Sequence, residues 1–175
     1  MSQSNKVCVI CHTLGHSKFY CPTKPRKPLQ RVAIKKTVSK STKHKPVNRS
    51  KLVKDLDAAF SIYIRMTKSV NGLGTCVTCG TIKPWREMQN GHFYTRGRYP
   101  TRWDIDNCHI QDAACNVFLK GNYINYTKYM IDTYGREFID ELELKSRQIV
   151  KYKNFQLQEM LNFYRGEVKK LQQNT

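Results

Sequence analysis

One segment of the sequence, residues 76–122, combines zinc-type cysteine spacing with histidine and asparagine residues. Two cysteine pairs are enough to bind zinc and to stabilise a small fold. The histidines and asparagines between the pairs exceed what such a site needs, so they indicate a reaction. The residues that carry this chemistry are Cys76, Cys79, His92, Asn107, Cys108, His109, Cys115 and Asn116.

The cysteines of this segment predict a structural zinc site. Cys76 and Cys79 have the Cys-x2-Cys spacing and are followed by a glycine, which suits a turn on which two thiolates converge. Cys115 supplies a third ligand. The fourth ligand is either Asp112, which stands three residues before Cys115 where a cysteine would complete the second pair, or Cys108. The spacing leaves both choices open.

The histidines and asparagines predict acid–base and divalent-metal chemistry. A neutral imidazole can take a proton from water near neutral pH, so His92 is the candidate general base. Asn107 is the candidate that orients this imidazole, and Asn116 can offer an amide oxygen to a catalytic Mg2+ or Mn2+ ion. His109 is a candidate catalytic residue and catalytic-metal ligand; a DNA contact and a structural role are its alternatives.

A ββα hairpin would position these side chains. Residues 85–94 predict a strand with His92 near its end, and residues 103–110 predict a second strand with Asn107 at its start. Residues 113–121 predict the beginning of a helix. This arrangement can bring His92 and Asn116 to opposite sides of one phosphate.

Helices are expected on both sides of this hairpin. Apolar residues recur at spacings of three and four from position 52 to 63, and again from 157 to 171, which indicates amphipathic helices. Two more helical stretches are predicted at 123–134, ending at Gly135, and at 136–150. The predicted fold class is α+β, with a small zinc-stabilised ββα-metal core at 51–150 and a C-terminal helix at 151–175.

The charge of the chain favours a nucleic-acid partner. Its 175 residues include 31 Lys and Arg against 13 Asp and Glu, a net charge of +18. No apolar run approaches the roughly 20 residues that span a bilayer, and the first residues carry no apolar signal segment. We therefore expect no membrane association and a cytoplasmic location (that of the host cell if the chain is phage-encoded). The basic residues predicted to contact DNA phosphates are Arg96, Arg98, Arg102 and Lys120.

The first 21 residues predict a second zinc site, a CCHC zinc knuckle. Its ligand spacing is x2, x4 and x4, with His12 as an alternative ligand. Two aromatic residues of this segment could stack on unpaired bases. Residues 22–50 contain ten Lys and Arg and no acidic residue, which predicts a flexible basic linker. The predicted ligands are Cys8, Cys11, His16 and Cys21, and the stacking residues are Phe19 and Tyr20.

Several ordered motifs resemble the HNH (ββα-metal) nucleases, and more closely the NinG/Rap family of bacteriophage recombination endonucleases. The resemblance covers roughly residues 50–145. The matching motifs are Ala58–Arg65, Cys76-x2-Cys79-Gly80, Gly91-His92-Phe93, Arg102-Trp103, Asn107-Cys108-His109, Cys115-Asn116, Gly121-Asn122 and Tyr126.

The resemblance implies metal-dependent cleavage of branched DNA, such as Holliday junctions and D-loops. It implies His92 as general base, Asn107 as the orienting residue and Asn116 as a metal ligand. Gln89 stands where the family commonly has an acidic residue, and Gly91 where HNH sites often have Asp or His. The substitutes considered for the second ligand of the catalytic metal are Asn90, Gln89, Glu87 and His109.

Two other functions compete with this hypothesis. A non-catalytic nucleic-acid-binding protein with two zinc modules would explain Gln89 and Gly91. A protein-binding adaptor is the third reading, and the net charge of +18 disfavours it. For an endonuclease, recombination proteins would be expected partners, and a homodimer would suit the symmetry of a junction.

Overall fold

The computed structural model describes residues 48–173. The predicted zinc knuckle, with Cys8, Cys11, His16, Cys21, Phe19 and Tyr20, lies outside the described residues, as does the predicted linker up to residue 47. The helices and strands, in chain order, are α1 (Arg49–Thr67), β1 (Leu73–Thr75), β2 (Ile82–Pro84), β3 (Gln89–His92), α2 (Tyr99–Arg102), β4 (Cys108–Gln111), a π-helix (Ala114–Phe118), α3 (Tyr123–Tyr134), α4 (Arg136–Ser146) and α5 (Asn154–Gln173).

Helix α1 begins where a side chain replaces a missing main-chain partner. The side chain of Asn48 accepts a hydrogen bond from the main-chain N–H of Lys51 at 3.2 Å, which caps the helix. The helix then buries one apolar face, which includes Leu56 and Phe60. This face packs against α5, where Phe60 meets Tyr164 edge to face at 4.9 Å. The C-terminal helix therefore shares one hydrophobic cluster with α1.

Two short antiparallel hairpins lie between α1 and α3. The first pairs β1 with β2, and the connection between them carries Cys76 and Cys79. The second pairs β3 with β4 and aligns His92 with Cys108. The π-helix follows β4 directly, so the predicted order of two strands and a helix is present around the candidate site.

The register of the second hairpin separates its side chains into two faces, because directly paired residues point to the same side. We call them the His92 face and the His109 face. The His92 face carries His92, Cys108, Asn90 and Ile110; the His109 face carries Gly91, His109, Gln89 and Gln111.

The strands of the second hairpin are shorter than the sequence predicts. The stretch 85–94 contributes only Gln89–His92, because Arg65 on α1 binds the main-chain carbonyls of residues 85, 86 and 88. The stretch 103–110 contributes a strand only from Cys108, because residues 103–107 form the turns that follow α2. The predicted helix at 113–121 is a five-residue π-helix.

The helices after the hairpin lie close to their predicted positions. Helix α3 ends at Gly135, whose positive φ of 84° lets the chain turn into α4. Helix α4 ends at Ser146, four residues earlier than expected. A second buried cluster joins α3 and α4 to the residue after β3; it contains Phe93, Tyr126, Met130, Ile139 and Leu142. No helix among residues 48–173 is long and apolar enough to cross a membrane.

Candidate functional site

Three cysteines converge as a candidate metal centre. The Sγ atoms of Cys76, Cys79 and Cys115 all lie within 4.8 Å of one another, and no other group of three or more potential ligands occurs within residues 48–173. Burial raises the pKa of Cys76, but hydrogen bonds from Thr78 and from the main chain of Asp112 bring it down to about 7. A zinc ion binds thiolates at about 2.3 Å, so the cluster suits zinc.

Of the two candidate fourth ligands, Asp112 is bound to other groups and Cys108 lies elsewhere. Asp112 accepts a hydrogen bond from the main-chain N–H of Ala114 at 2.8 Å and pairs with Lys83 at 2.5 Å, so both of its oxygens are engaged. These bonds, that of Lys83 first, lower the pKa of Asp112. The expectation that Cys108 could be the fourth ligand is corrected by its position. Its side chain is fully buried on the His92 face among the residues between α1 and α5, apart from the three clustered thiols.

His92 is held by a main-chain oxygen. Its Nε2 lies 3.0 Å from the carbonyl oxygen of Arg102. A carbonyl can only accept, so this bond requires the hydrogen on Nε2 and leaves Nδ1 of the neutral ring free to accept a proton. Burial is the main cause that lowers the pKa of His92 below its ordinary value. The ring is therefore neutral at neutral pH.

Asn107 acts on the loop after His92, and its side-chain hydrogen bonds go to Tyr94 and Thr101 instead of the imidazole. Its Nδ2 donates to the carbonyls of Tyr94 and Thr101 at 2.9 and 2.8 Å, and its Oδ1 accepts from the N–H of Tyr94 at 2.7 Å. Thr101 directly precedes Arg102, the residue whose carbonyl binds His92. Asn107 thus positions the general-base candidate through the main chain on both sides of the loop.

Arg102 forms an ion pair inside the protein, whereas the sequence predicts a phosphate contact for it. Its Nε and one terminal nitrogen bind the two carboxylate oxygens of Asp57 at 2.9 and 2.5 Å. Its other terminal nitrogen donates to the carbonyl of Arg96. The side chain is mostly buried, so Arg102 fixes the loop against α1.

His109 is also placed differently from the metal-ligand expectation. Its ring is fully buried, with Nδ1 3.0 Å from the hydroxyl of Tyr126 and Nε2 2.9 Å from that of Tyr134. The Tyr126 hydroxyl donates to the carbonyl of Gly91 at 3.1 Å, so its oxygen accepts from Nδ1. Burial lowers the pKa of His109 to about 3. Both nitrogens are occupied, so His109 supports the residue before His92 and does not offer a ligand atom.

Asn116 lies beside the His109 face and meets other amides there. Its Nδ2 donates to Oε1 of Gln89 at 2.7 Å. The neighbouring Gln111 is fully buried, donates to Gly121 and Thr78, and leaves its Oε1 without a partner. This oxygen would lie only 2.0 Å from a Cβ at position 91. Gln111 therefore fills the space that a side chain at position 91 would need.

His92 and Asn116 stand on opposite faces of the hairpin. His92 lines a cavity of about 250 Å3 at the end of β3, together with Arg98, Lys120 and Tyr123. Asn116 is not among the residues that line it. Asn116 meets Gln89 at the start of β3 and His92 lies at its end, so the two side chains approach the strand from opposite faces and near opposite ends. Arg98 and Lys120, like Arg96, are exposed and available to phosphates.

Several residues that hold this site have little or no signal in the sequence. Asp57 reaches it from α1. Lys68, the residue after α1, donates to the carbonyl of residue 105 and to that of residue 108 at the start of β4. Tyr134 and Gln111 act from α3 and β4. A charged residue on the buried side of a predicted helix is the one signal that could have identified Asp57. The partners of Tyr134 and Gln111 depend on the tertiary packing.

Comparison with known proteins identifies phage relatives. A family model described as "NinG: Bacteriophage Lambda NinG protein" matches residues 22–174. A protein called ninG from Escherichia phage 933W is 35% identical over 69 residues, covering 39% of this chain and 34% of that protein. The ninG proteins of Escherichia phage lambda and Salmonella phage P22 are each 33% identical over 69 residues, covering 39% of this chain and 33% and 34% of theirs.

The matched segment spans only about a third of the length of these curated relatives. No solved structure gives a significant match.

Proposed function

Because this chain belongs to the NinG family of bacteriophage proteins, we propose that it is a metal-dependent DNA endonuclease. Its proposed substrates are branched recombination intermediates such as Holliday junctions and D-loops, the class that the HNH-like motifs imply. The observation that carries the proposal is the hydrogen bond from Nε2 of His92 to the carbonyl of Arg102. It leaves a neutral imidazole nitrogen at the end of β3.

The proposed chemical step is hydrolysis of a phosphodiester. Nδ1 of His92 takes a proton from a water molecule, and that water attacks phosphorus. The P–O bond to the leaving nucleotide then breaks. The departing oxygen takes up a proton from solvent, and the imidazolium of His92 returns its proton to solvent. The lowered pKa of His92 supports this role, because the base is unprotonated at neutral pH.

Positive charge around His92 supports a phosphate-bearing substrate. Arg98 and Lys120 are exposed and line the same cavity as His92. Their charges would attract the DNA backbone, and they are free of the ion pair that occupies Arg102.

Neutral amide oxygens on the His109 face would hold the catalytic metal. Asn116 and Gln89 are the proposed ligands, because both side chains are partly exposed and their amides lie together, with Nδ2 of Asn116 2.7 Å from Oε1 of Gln89. A bound Mg2+ or Mn2+ would neutralise the phosphate and stabilise the leaving oxygen. Mg2+ sites in proteins usually include carboxylates, so this set would bind the ion weakly until DNA adds its phosphate oxygens.

The cysteine cluster has a structural role in this proposal. Zinc bound by Cys76, Cys79 and Cys115 would tie the first hairpin to the π-helix that carries Asn116. Such a centre stabilises a small core outright. The proposed knuckle at residues 8–21 would add a second zinc ion and a contact to unpaired DNA.

One observation favours a second function, a non-catalytic zinc-dependent nucleic-acid-binding protein. Asn116 is hydrogen-bonded to the amide of Gln89, where the family commonly has an acidic residue. A site with no carboxylate could have lost its metal and kept only its affinity for DNA.

A cleavage survey separates the two functions. Purified protein and His92→Ala would be incubated with a four-way junction, a D-loop, linear duplex and single-stranded DNA, each with Mg2+ or Mn2+. The endonuclease proposal predicts cutting of the branched DNA by the wild-type protein and loss of cutting in the variant. Binding of all the DNAs without cleavage in either metal, or equal cutting by both proteins, would contradict it.

A further inference from the structure

An aromatic ring that lines the cavity of His92 is more than half exposed to solvent. Tyr123, the first residue of α3, is 54% exposed. Its inner face stacks on Phe93, with ring centroids 5.1 Å apart and planes 12° from parallel. Phe93 is buried and is fixed edge-on by Tyr94 and Tyr126 at 4.9 and 5.3 Å. A rigid ring therefore supports Tyr123 from below, and within residues 48–173 no second ring stacks on its outer face.

The surroundings of this ring are cationic. Tyr123 lines the cavity of His92 together with Arg98 and Lys120, and none of the described residues that line it is acidic. The cavity volume of about 250 Å3 is smaller than the 300 Å3 or more of typical small-molecule pockets, so it suits part of a polymer. An aromatic face between cations is the usual design of a site for single-stranded nucleic acid.

We infer that Tyr123 is a stacking platform for one unpaired base of the DNA, adjacent to the phosphate that reaches His92. The inference rests on the proposed function for the identity of the polymer. Arg98 and Lys120 contact the flanking phosphates. Bases inside an intact duplex have both faces covered by their neighbours, so only a base at a branch, gap or single-stranded end can cover Tyr123. The platform thus selects DNA with unpaired bases at the site of cleavage.

Other exposed apolar side chains lie near Tyr123 in sequence. Phe118 and Ile124 are 80% and 75% exposed. A second copy of the chain is the competing occupant of this surface. The positive charges of Arg98 and Lys120 decide between them, because two copies would bring these charges together, whereas DNA would neutralise them.

The test is a binding measurement on the full-length protein with its zinc, without added Mg2+ or Mn2+. Fluorescence anisotropy would give the Kd for a single-stranded oligonucleotide, for a duplex of equal length and for an abasic oligonucleotide. The variants are Tyr123→Ala and Tyr123→Phe, with Phe155→Ala as the matched control, since Phe155 is 59% exposed on α5 and does not line the cavity. Melting curves would verify that each variant folds.

Loss of one stacked base predicts about 5- to 150-fold weaker binding of single-stranded DNA by Tyr123→Ala. Binding of duplex and of abasic DNA should stay within about twofold, and Tyr123→Phe and Phe155→Ala should resemble wild type. An equal loss on all three DNAs, or no loss on any, would overturn the inference. So would a shift of Tyr123→Ala from dimer to monomer with unchanged DNA affinity, because it would assign the surface to a second copy.

The result is separable from the cleavage activity. Base-dependent binding through Tyr123 in a protein that cuts no DNA would remove the endonuclease proposal and keep the platform. Cleavage of branched DNA by a protein whose affinity does not depend on Tyr123 would keep the endonuclease proposal and remove the platform.

Discussion

Nε2 of His92 donates a hydrogen bond to the carbonyl oxygen of Arg102 at 3.0 Å. The guanidinium of the same Arg102 is held by both carboxylate oxygens of Asp57 on α1. One residue therefore fixes the general-base candidate with its main chain and the surrounding loop with its side chain. The protonation and direction of the imidazole depend on how the loop packs against α1.

The two arginines of this loop should respond differently to substitution. Arg98→Ala removes an exposed charge, so it should weaken DNA binding at all sequences and reduce the slope of log K against log salt by about 1. Arg102→Ala leaves Asp57 without its partner in a mostly buried position, so it should lower the free energy of unfolding by about 2–4 kcal/mol. Salt titrations and urea unfolding of both variants measure this. A stable Arg102→Ala protein with the larger binding defect would contradict the assignment.

The zinc content of single-cysteine variants should distinguish the metal ligands from the cysteine that only packs. Serine at position 76, 79 or 115 should abolish the zinc of the core and unfold it, because each thiolate belongs to the cluster. Cys108→Ala is the matched control; it should keep that zinc and cost about 1–3 kcal/mol from lost packing alone. Elemental analysis and thermal unfolding give both quantities. Loss of core zinc in Cys108→Ala would overturn the ligand set.

The amides near Asn116 suggest a substitution that should raise the affinity for the catalytic metal. Gln89→Asp places a carboxylate beside Asn116 and should lower the Mn2+ concentration for half-maximal cleavage by about tenfold, whereas Gln89→Asn should not. Gly91→Asp should not strengthen metal binding, because a Cβ there would meet Oε1 of Gln111 at 2.0 Å. The clash should lower the free energy of unfolding by about 1–3 kcal/mol. Metal titrations of cleavage test the pair. Identical titrations for Gln89→Asp and Gln89→Asn would place the ion elsewhere.

How much of this site follows from the sequence depends on the distance between partners. The cysteine turn, the end of α3 at Gly135 and the order of strands and helix have local signals, and the structure contains them. The carbonyl that binds His92 lies ten residues away in sequence, and Asp57 lies 45 residues from Arg102. No pattern in the sequence specifies such partners.

The role of His109 also depends on partners that are distant in sequence. Its position two residues after Asn107 suggested a metal ligand. The decisive contacts come from Tyr126 and Tyr134 on α3, which occupy both ring nitrogens. A buried, hydrogen-bonded histidine can be distinguished from a metal-binding histidine only when the position of the helix that covers it is known.

The buried state of His109 predicts a pH dependence of stability. Its pKa is about 3 in the folded protein against about 6.5 when unfolded, so protons bind preferentially to the unfolded chain below pH 6.5. This contribution to stability is complete above pH 6.5 and is lost as the pH falls toward 3, at up to about 1.4 kcal/mol per pH unit.

Urea unfolding of wild type and of His109→Gln between pH 7 and pH 5 tests this prediction. The quantity compared is the free energy of unfolding of the two proteins at each pH. Protonation of the thiolates affects both proteins, so it cancels in the difference. The variant should lose stability less steeply than wild type. Parallel pH curves would mean that His109 is charged or exposed in the folded protein.

The single-turnover rate of DNA cleavage at pH 7 tests the role of His92 most directly. Wild type and His92→Ala would be compared with saturating Mn2+ on a four-way junction, after their zinc content and melting temperatures are shown to agree. Loss of the general base should lower the rate by about 10²- to 10⁴-fold. Equal rates for the two proteins would contradict the assignment of the base to His92.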